Sequence, residues 1–332
     1  MEQQSILADH DRQLSWHNYN ESQTREKVLF VNMLADLCSL IEEPKHQKGR
    51  KPTLMKDIVF SSVLKEYLNT SSRRVQGDLK LFSRAGLLTR EIPFNTLLDH
   101  LERPELKHVL KELIEISSLP LKQIELDFAI DATGFGVSRY VTYFDVRYRK
   151  DNRMKLFRKC HAVCGVKTNI ITSVDVIEGH VNDQTQFEPL AKDTARNFNI
   201  REFSADKGYL SKKNYNVIRD FGGIAFIPFK SNTSGKCAGG DSFTFKKMFQ
   251  VFKEHREVFM NHYHKRSNIE SAFSMIKRKF GTNVKCKKEI SQDNEILSKV
   301  LAHNICVLIQ EIFLNKINVD FNFHAKDYVA RN

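Results

Sequence analysis

Near residue 121 the period of the hydrophobic pattern changes, and this change restricts the folds open to the chain more than any other feature. From about residue 25 to 118 apolar residues recur at helical spacing. From about 121 to 230 they come in short strand-like runs, and helices return to the end. In the first such run Ile124, Leu126, Phe128 and Ile130 alternate with Glu125, Asp127, Ala129 and Asp131, which predicts a strand with two distinct faces. Thr133-Gly134-Phe135-Gly136 reads as its break, placing Asp131 where strand gives way to loop. Residues 161–166 and 170–177 read as two further strands, antiparallel neighbours. Pro189 is expected to open a helix to about residue 197, at the position proline prefers. A strand over 201–205 ends at Asp206-Lys207-Gly208-Tyr209, and a helix and a strand over 223–229 follow. This order predicts an α/β fold built on a mixed five-stranded sheet flanked by helices.

Asp131 and Asp206 thus fall at the C-terminal ends of separate strands, the edge of an α/β sheet where ligands gather. If those strands are neighbours, the two carboxylates converge. Later, the run from Tyr263 to Lys277 places Tyr263, Arg266, Glu270 and Lys277 within an arc of roughly 60° on an α-helix. Ile269, Ala272, Phe273, Ile276 and Phe280 occupy a separate, apolar arc. Either the polar stripe meets a ligand or it is an ordinary solvated face with an i,i+4 Arg266–Glu270 pair. Three converging carboxylates would repel one another, and a hard divalent cation with oxygen ligands relieves that repulsion. Two Mg²⁺ ions about 3.5–4 Å apart would suit in-line displacement at a phosphodiester.

The N-terminal third is expected to be helical. Residues 44–52 form a short basic linker bounded by prolines, after which Thr53 can cap a helix over 53–68. The turn Asn69-Thr70-Ser71 leads to a second helix that Gly86 can stop, so residues of about 53–86 form a candidate helix-turn-helix. On its second helix Arg73, Lys80 and Arg84 share one face, and Val75, Leu79 and Phe82 the other. This is the division a DNA-reading helix needs, though a basic solvated surface has the same pattern.

Charge agrees with a polyanionic partner. The chain has 52 Lys and Arg against 40 Asp and Glu, a formal net charge of +12, and its cations recur along its whole length. The basic run Lys277-Arg278-Lys279, with Lys285, Lys287 and Lys288, extends any phosphate-binding surface beyond the stripe, or is a solvated helix end. No run of about 18 consecutive apolar residues is present, and the first residues lack a signal-peptide pattern. The expectation is a soluble, cytoplasmic, nucleoid-associated protein with no membrane contact. Six cysteines without a regular framework suit a reducing compartment. Cys160-His161 and Cys164 lack the further ligands of a zinc site and read as buried thiols.

Taken together, three motifs resemble a known family. Ile130-Asp131-Ala132-Thr133-Gly134, Ala205-Asp206-Lys207-Gly208-Tyr209, and the Tyr-x2-Arg-x3-Glu-x6-Lys spacing of Tyr263, Arg266, Glu270 and Lys277 resemble the DDE transposases of prokaryotic insertion sequences, in the IS-four-like group. The resemblance covers about residues 121–314 and implies an RNase H-like catalytic domain over 121–315; the helical spacing ahead of it sets apart a DNA-binding region over 1–120, and a tail over 316–332 is left. It implies that Asp131 bridges two Mg²⁺ ions, for which Mn²⁺ can substitute, and that Asp206 and Glu270 each complete one. It further implies that Tyr263, Arg266 and Lys277 hold backbone phosphates, and the basic run places Arg278 beside them. The implied activity is cleavage of the element's own terminal inverted repeats and joining of their 3′-hydroxyls to target DNA, by a homodimer, without ATP. Some relatives carry a large β-strand insertion before the glutamate. Only about 30 residues are available for one here, taken up by a Gly-rich turn over 235–240 and an expected helix over about 243–257, which puts a hairpin intermediate in doubt. Asn182-Asp183 also resembles a polar loop of the group, and a helix cap explains it equally well. Two other functions fit the same residues: a DNA-binding protein of this fold without strand transfer, and an RNase H-like nuclease acting on branched or damaged DNA.

Overall fold

The computed structural model describes residues 16–43, 49, 52–137, 157–179, 181–233 and 243–329. Five strands form one sheet: β1 (Asp127–Gly136), β2 (Phe157–Gly165), β3 (Ile171–Glu178), β4 (Glu202–Ala205) and β5 (Ile224–Phe226), in the order β3-β2-β1-β4-β5. β1 pairs antiparallel with β2, and β2 with β3, while β1–β4 and β4–β5 are parallel. Between β3 and β4 runs helix α6 (Gln184–Asn197), and between β4 and β5 helix α7 (Lys212–Asp220); parallel neighbours need such crossovers. This mixed sheet flanked by helices has the RNase H-like arrangement.

Five helices precede the sheet: α1 (Trp16–Ser39), α2 (Met55–Tyr67), α3 (Val75–Arg84), α4 (Phe94–Leu101) and α5 (Pro104–Ser118). Five follow it: α8 (Phe243–Glu254), α9 (Arg256–Tyr263), α10 (Ser267–Phe280), α11 (Glu289–Leu314) and α12 (Phe321–Val329). The apolar stripe Ile269, Ala272, Phe273, Ile276 and Phe280 of α10 is buried, and α10 packs on β1 and β2. Helix α6 covers the opposite face, where Ser173 of β3 donates to Leu190 O and pairs with Thr194. By length and composition α11 could cross a membrane, yet 78% of its apolar window is buried. It is instead the helix on which α1, α2, α4 and α5 pack, joining the N-terminal helices and the sheet in one contiguous core.

That junction contains a charged cluster. Lys65 and Glu66 of α2 and Glu295 and Lys299 of α11 are each at most 2% exposed. Burial opposes ionisation of Glu295, but Lys65, Lys299 and the backbone amide of Lys285 hold its carboxyl below the usual range. Lys299 also donates to Asn283 O at 2.8 Å, which ties the cluster to the segment after α10.

Several local expectations change. Thr133–Gly136 does not break β1: these residues stay paired with Phe157–Cys160, because the antiparallel neighbour continues after the parallel one has ended. Gly136 forms a bridge to Asn283, whose side chain would collide with any Cβ at residue 136. Pro189 lies inside α6, which begins five residues earlier. Thr53 does not cap α2; Leu54 holds that position and Thr53 Oγ1 accepts from Arg90 Nη2 at 2.6 Å. Arg73 lies in the turn before α3, not on it, and stacks over the Phe94 ring at 5.4 Å. The stretch expected as one helix over about 243–257 is divided at His255 into α8 and α9. The last segment, expected as a tail, contains α12, whose Tyr328 donates to Glu115 of α5 at 3.2 Å. Most of the basic linker over 44–52 and the Gly-rich turn over 235–240 lie outside the described residues.

Candidate active site

The parallel ladder between β1 and β4 ends at Ile130↔Ala205, so the next residues in register are Asp131 and Asp206. Two acids distant in sequence thereby stand side by side at the top of the central strands. Asp131 opposes Ala162 across β2, which puts it on the α10 face of the sheet. The third acid arrives on α10, whose first turn carries Glu270.

Arg266 links them. Its Nη1 lies 2.5 Å from Asp131 Oδ2, its Nη2 lies 2.5 Å from Glu270 Oε1, and its Nε donates to Tyr263 OH at 3.1 Å. Tyr263 OH in turn makes a long 3.5 Å contact with Asp206 Oδ1. The phenol and guanidinium therefore touch all three acids. Burial, and then the charges of Asp206 and Glu270, raise the Asp131 carboxyl above its ordinary range, against the pull of the Ala132 amide and Arg266.

Lys277 lies farther along the same face, where its Nζ donates to Thr133 Oγ1 at 2.6 Å and sits 5.3 Å from the Phe135 ring centre. Burial lowers its pKa. The stripe that periodicity offered to a ligand thus runs along β1, and Lys277 is half-buried against it. Nor is the stripe one helix. Residues His264–Arg266 form a 3₁₀ turn between α9 and α10, which tightens the chain to about 120° per residue.

That turn brings in a residue the helical wheel had missed. Lys265 Nζ donates to Asp127 Oδ2 and Glu202 Oε2, both at 2.8 Å, bridging the first register pair of β1 and β4. Burial works against the Lys265 charge, but these two hydrogen bonds hold its pKa above the ordinary lysine value. Consecutive cations, Lys265 and Arg266, therefore clasp β1 at Asp127 and at Asp131. Lys265 lay within the motif itself, but its polarity alone carried no sign of this role.

The other expected cations divide into two sets. Lys279 pairs with Glu26, Lys285 donates to Asn69 Oδ1 at 2.9 Å and Thr70 O at 3.1 Å, and Lys288 pairs with Glu102. Arg278 and Lys287 remain exposed. Lys80 and Arg84 are exposed on α3, away from buried Val75 and Leu79 and half-buried Phe82, and Arg73 is exposed in the turn ahead of them.

As they stand, no three His, Cys, Asp or Glu side chains among the described residues form a metal-ligand set; the Arg266 guanidinium bridges Asp131 and Glu270. Their chemistry nevertheless fits Mg²⁺: the donors are all carboxylate oxygens, and a hard cation would offset both the burial of Asp131 and, after it, the nearby charges of Asp206 and Glu270 that raise its pKa. A family model described as the transposase DDE domain matches residues 123–305, more than half of the 332-residue chain.

The chain belongs to the transposase DDE family. No curated protein and no solved structure matches it significantly. The matched span of this DDE transposase takes in all five strands, Asp131, Asp206 and Glu270, and leaves α1–α5 outside.

On the other face of the transposase sheet, Asp183 at the start of α6 makes no capping hydrogen bond. It pairs instead with Lys159 of β2 and lies 3.6 Å from His161 Nε2. His161 Nδ1 lies 3.2 Å from the hydroxyl of Tyr209, three residues beyond Asp206. Burial lowers the His161 pKa to about 4, so the ring is neutral near pH 7. Cys160 and Cys164 are buried in the same strand, and burial pushes the Cys160 thiol up to about 12.

Proposed function

We propose that this protein binds the terminal inverted repeats of its own insertion sequence, cleaves the element's ends and joins their 3′-hydroxyls to target DNA. The observation that carries the reading is the register of Asp131 beside Asp206, with Glu270 drawn to them through Arg266. Asp131, Asp206 and Glu270 would hold two Mg²⁺ ions, or Mn²⁺, which supply activation of the attacking oxygen and stabilisation of the leaving one.

The chain's own residues prepare the site in three ways. The paired strands fix the two aspartates against rotation, since each belongs to or adjoins a hydrogen-bonded ladder. Arg266 neutralises Asp131 and Glu270 in the absence of substrate, and its planar fork is equally suited to a phosphodiester. Tyr263 and Lys277 flank it along β1, and exposed Arg278 continues the cationic edge. Lys80 and Arg84 of α3, with Arg73, would contact the terminal repeat. Two ends must be joined in one event, which favours a homodimer on DNA; neither ATP nor a covalent protein–DNA bond is required.

The test uses the full chain with a duplex carrying the element's end. Asp131→Asn, Asp206→Asn and Glu270→Gln should each abolish Mg²⁺-dependent nicking and strand transfer while retaining duplex binding. Nicking that survives in all three variants would overturn the assignment. Nicking without strand transfer by the unaltered protein would indicate a nuclease instead.

A further inference from the structure

Away from the acid-bearing face, a cleft of about 450 Å³ opens between the residues leading into α2 and the segment from Arg90 to Arg103. Its lining includes Arg90, His100 and Arg103, the hydroxyl-bearing Thr53 and Thr96, and one acid, Glu91. Arg90 Nη2 donates to Thr53 Oγ1, which fixes one guanidinium on the cleft wall. Arg103 is exposed, and its guanidinium makes no ion pair among the described residues. His100 is 8% exposed, and its Nδ1 is buried without a hydrogen-bond partner among the described residues. Burial, and then the Arg103 charge, lower its pKa, so the ring already senses the positive potential.

The single acid does not cancel that potential, since two guanidiniums stand against it; Glu91 Oε1 accepts from Gln76 Nε2 of α3 at 3.0 Å. The same amide donates to Ile92 O at 3.0 Å, fastening the cleft wall to α3. Arg73, just ahead of α3, stacks on Phe94 at the start of α4. Arg73, Arg90 and Arg103 therefore flank one strip of surface beside the exposed basic side of α3.

We propose that this cleft is a phosphate-binding site that seats the backbone of duplex DNA, separate from the acid-bearing face. The proposal rests on the DNA-binding reading above. Two guanidiniums against one carboxylate favour an oxyanion, and guanidinium forks match phosphate oxygens in pairs. Phosphate contacts at such a place add affinity and set the register of the adjoining helix without reading bases.

Binding of a labelled duplex should be measured by anisotropy over a range of salt, for the parent, Arg90→Ala/Arg103→Ala and Arg90→Lys/Arg103→Lys. The alanine pair should weaken binding on the order of tenfold and flatten the slope of log K against log salt by about 1.8, two phosphates' worth. The lysine pair should restore most of the slope, which separates lost charge from lost folding. In the parent, duplex should shift the His100 ring resonances, and this shift should vanish in the alanine pair. Unchanged slope in the alanine pair, with a parent that binds duplex, would overturn the cleft while leaving the DNA-binding reading intact. A parent that binds no duplex would overturn that reading itself. Saturation of the His100 shift by inorganic phosphate, with no competition from duplex, would make this a free-anion site and also overturn the proposal.

Discussion

Arg266 Nη1 lies 2.5 Å from Asp131 Oδ2, so the residue expected to hold DNA phosphate is engaged with a residue expected to hold metal. The same guanidinium reaches Glu270. Arg266 and Mg²⁺ therefore compete for the same carboxylates. Mg²⁺ should raise Tm, because it binds the folded acids and not the unfolded chain; at a hundred times its Kd it adds about 2.7 kcal/mol to the stability. In Arg266→Gln the half-saturating Mg²⁺ concentration should fall, even though DNA nicking declines. A thermal-shift titration checks this, and an unchanged or raised half-saturation point contradicts it.

Asp131→Asn should stabilise the metal-free protein at neutral pH. Burial, then the charges of Asp206 and Glu270, raise the folded-state pKa of Asp131. An acid raised on folding contributes most stability below its unfolded pKa and loses that contribution as pH climbs through the folded value. The variant should therefore melt above the parent near pH 7, and the gap should close below the ordinary carboxylate range. Tm measured against pH, without Mg²⁺, decides the matter.

Lys265→Met should destabilise the fold by about 2 kcal/mol, since it removes charge-assisted hydrogen bonds from Asp127 and Glu202. Asp127 retains Arg201, and Glu202 retains His262, which limits the loss. Nicking should fall ten- to a hundredfold as α10 loses its anchor on β1, in the manner of residues that orient ligands without touching the reacting atoms. Lys265→Arg should recover most of both. Denaturant melts and single-turnover nicking with saturating DNA would report the two effects separately.

Lys277→Ala should weaken duplex binding and reduce the salt slope by about 0.9, one phosphate. Thr133→Val frees the same ammonium from its internal partner and should leave that slope intact. Equal salt slopes in the parent and the alanine variant would confine Lys277 to packing against β1.

Lys299→Met should cost about 3–5 kcal/mol, the usual penalty for removing one partner from a buried charged cluster. Lys299 is fully buried beside Glu66 and Glu295, and two carboxylates would lose a cation that water cannot replace. Urea denaturation measures it, and a loss below about 1 kcal/mol would show that the cluster relaxes or takes up protons.

Much of this protein could be read locally. The change of period near residue 121 announced the sheet, because alternation and helical spacing are properties of neighbouring residues. The three acidic motifs and the one-turn distance from Arg266 to Glu270 were visible for the same reason. Local spacing misled where a neighbouring strand prolonged an element, as in β1 beyond Asp131, or where a 3₁₀ turn changed which residues face the sheet, as at Lys265.

Composition and local spacing were enough to show which acids and cations this chain has and on which kinds of element they lie. That Asp131 adjoins Asp206, that Arg266 clasps Asp131 and Glu270, and that Lys277 turns onto β1 emerged from the folded chain alone. Those relations depend on strand register and helix packing between segments far apart in the chain. Register is set by hydrogen bonds and buried faces summed over whole elements, so no single motif contains it.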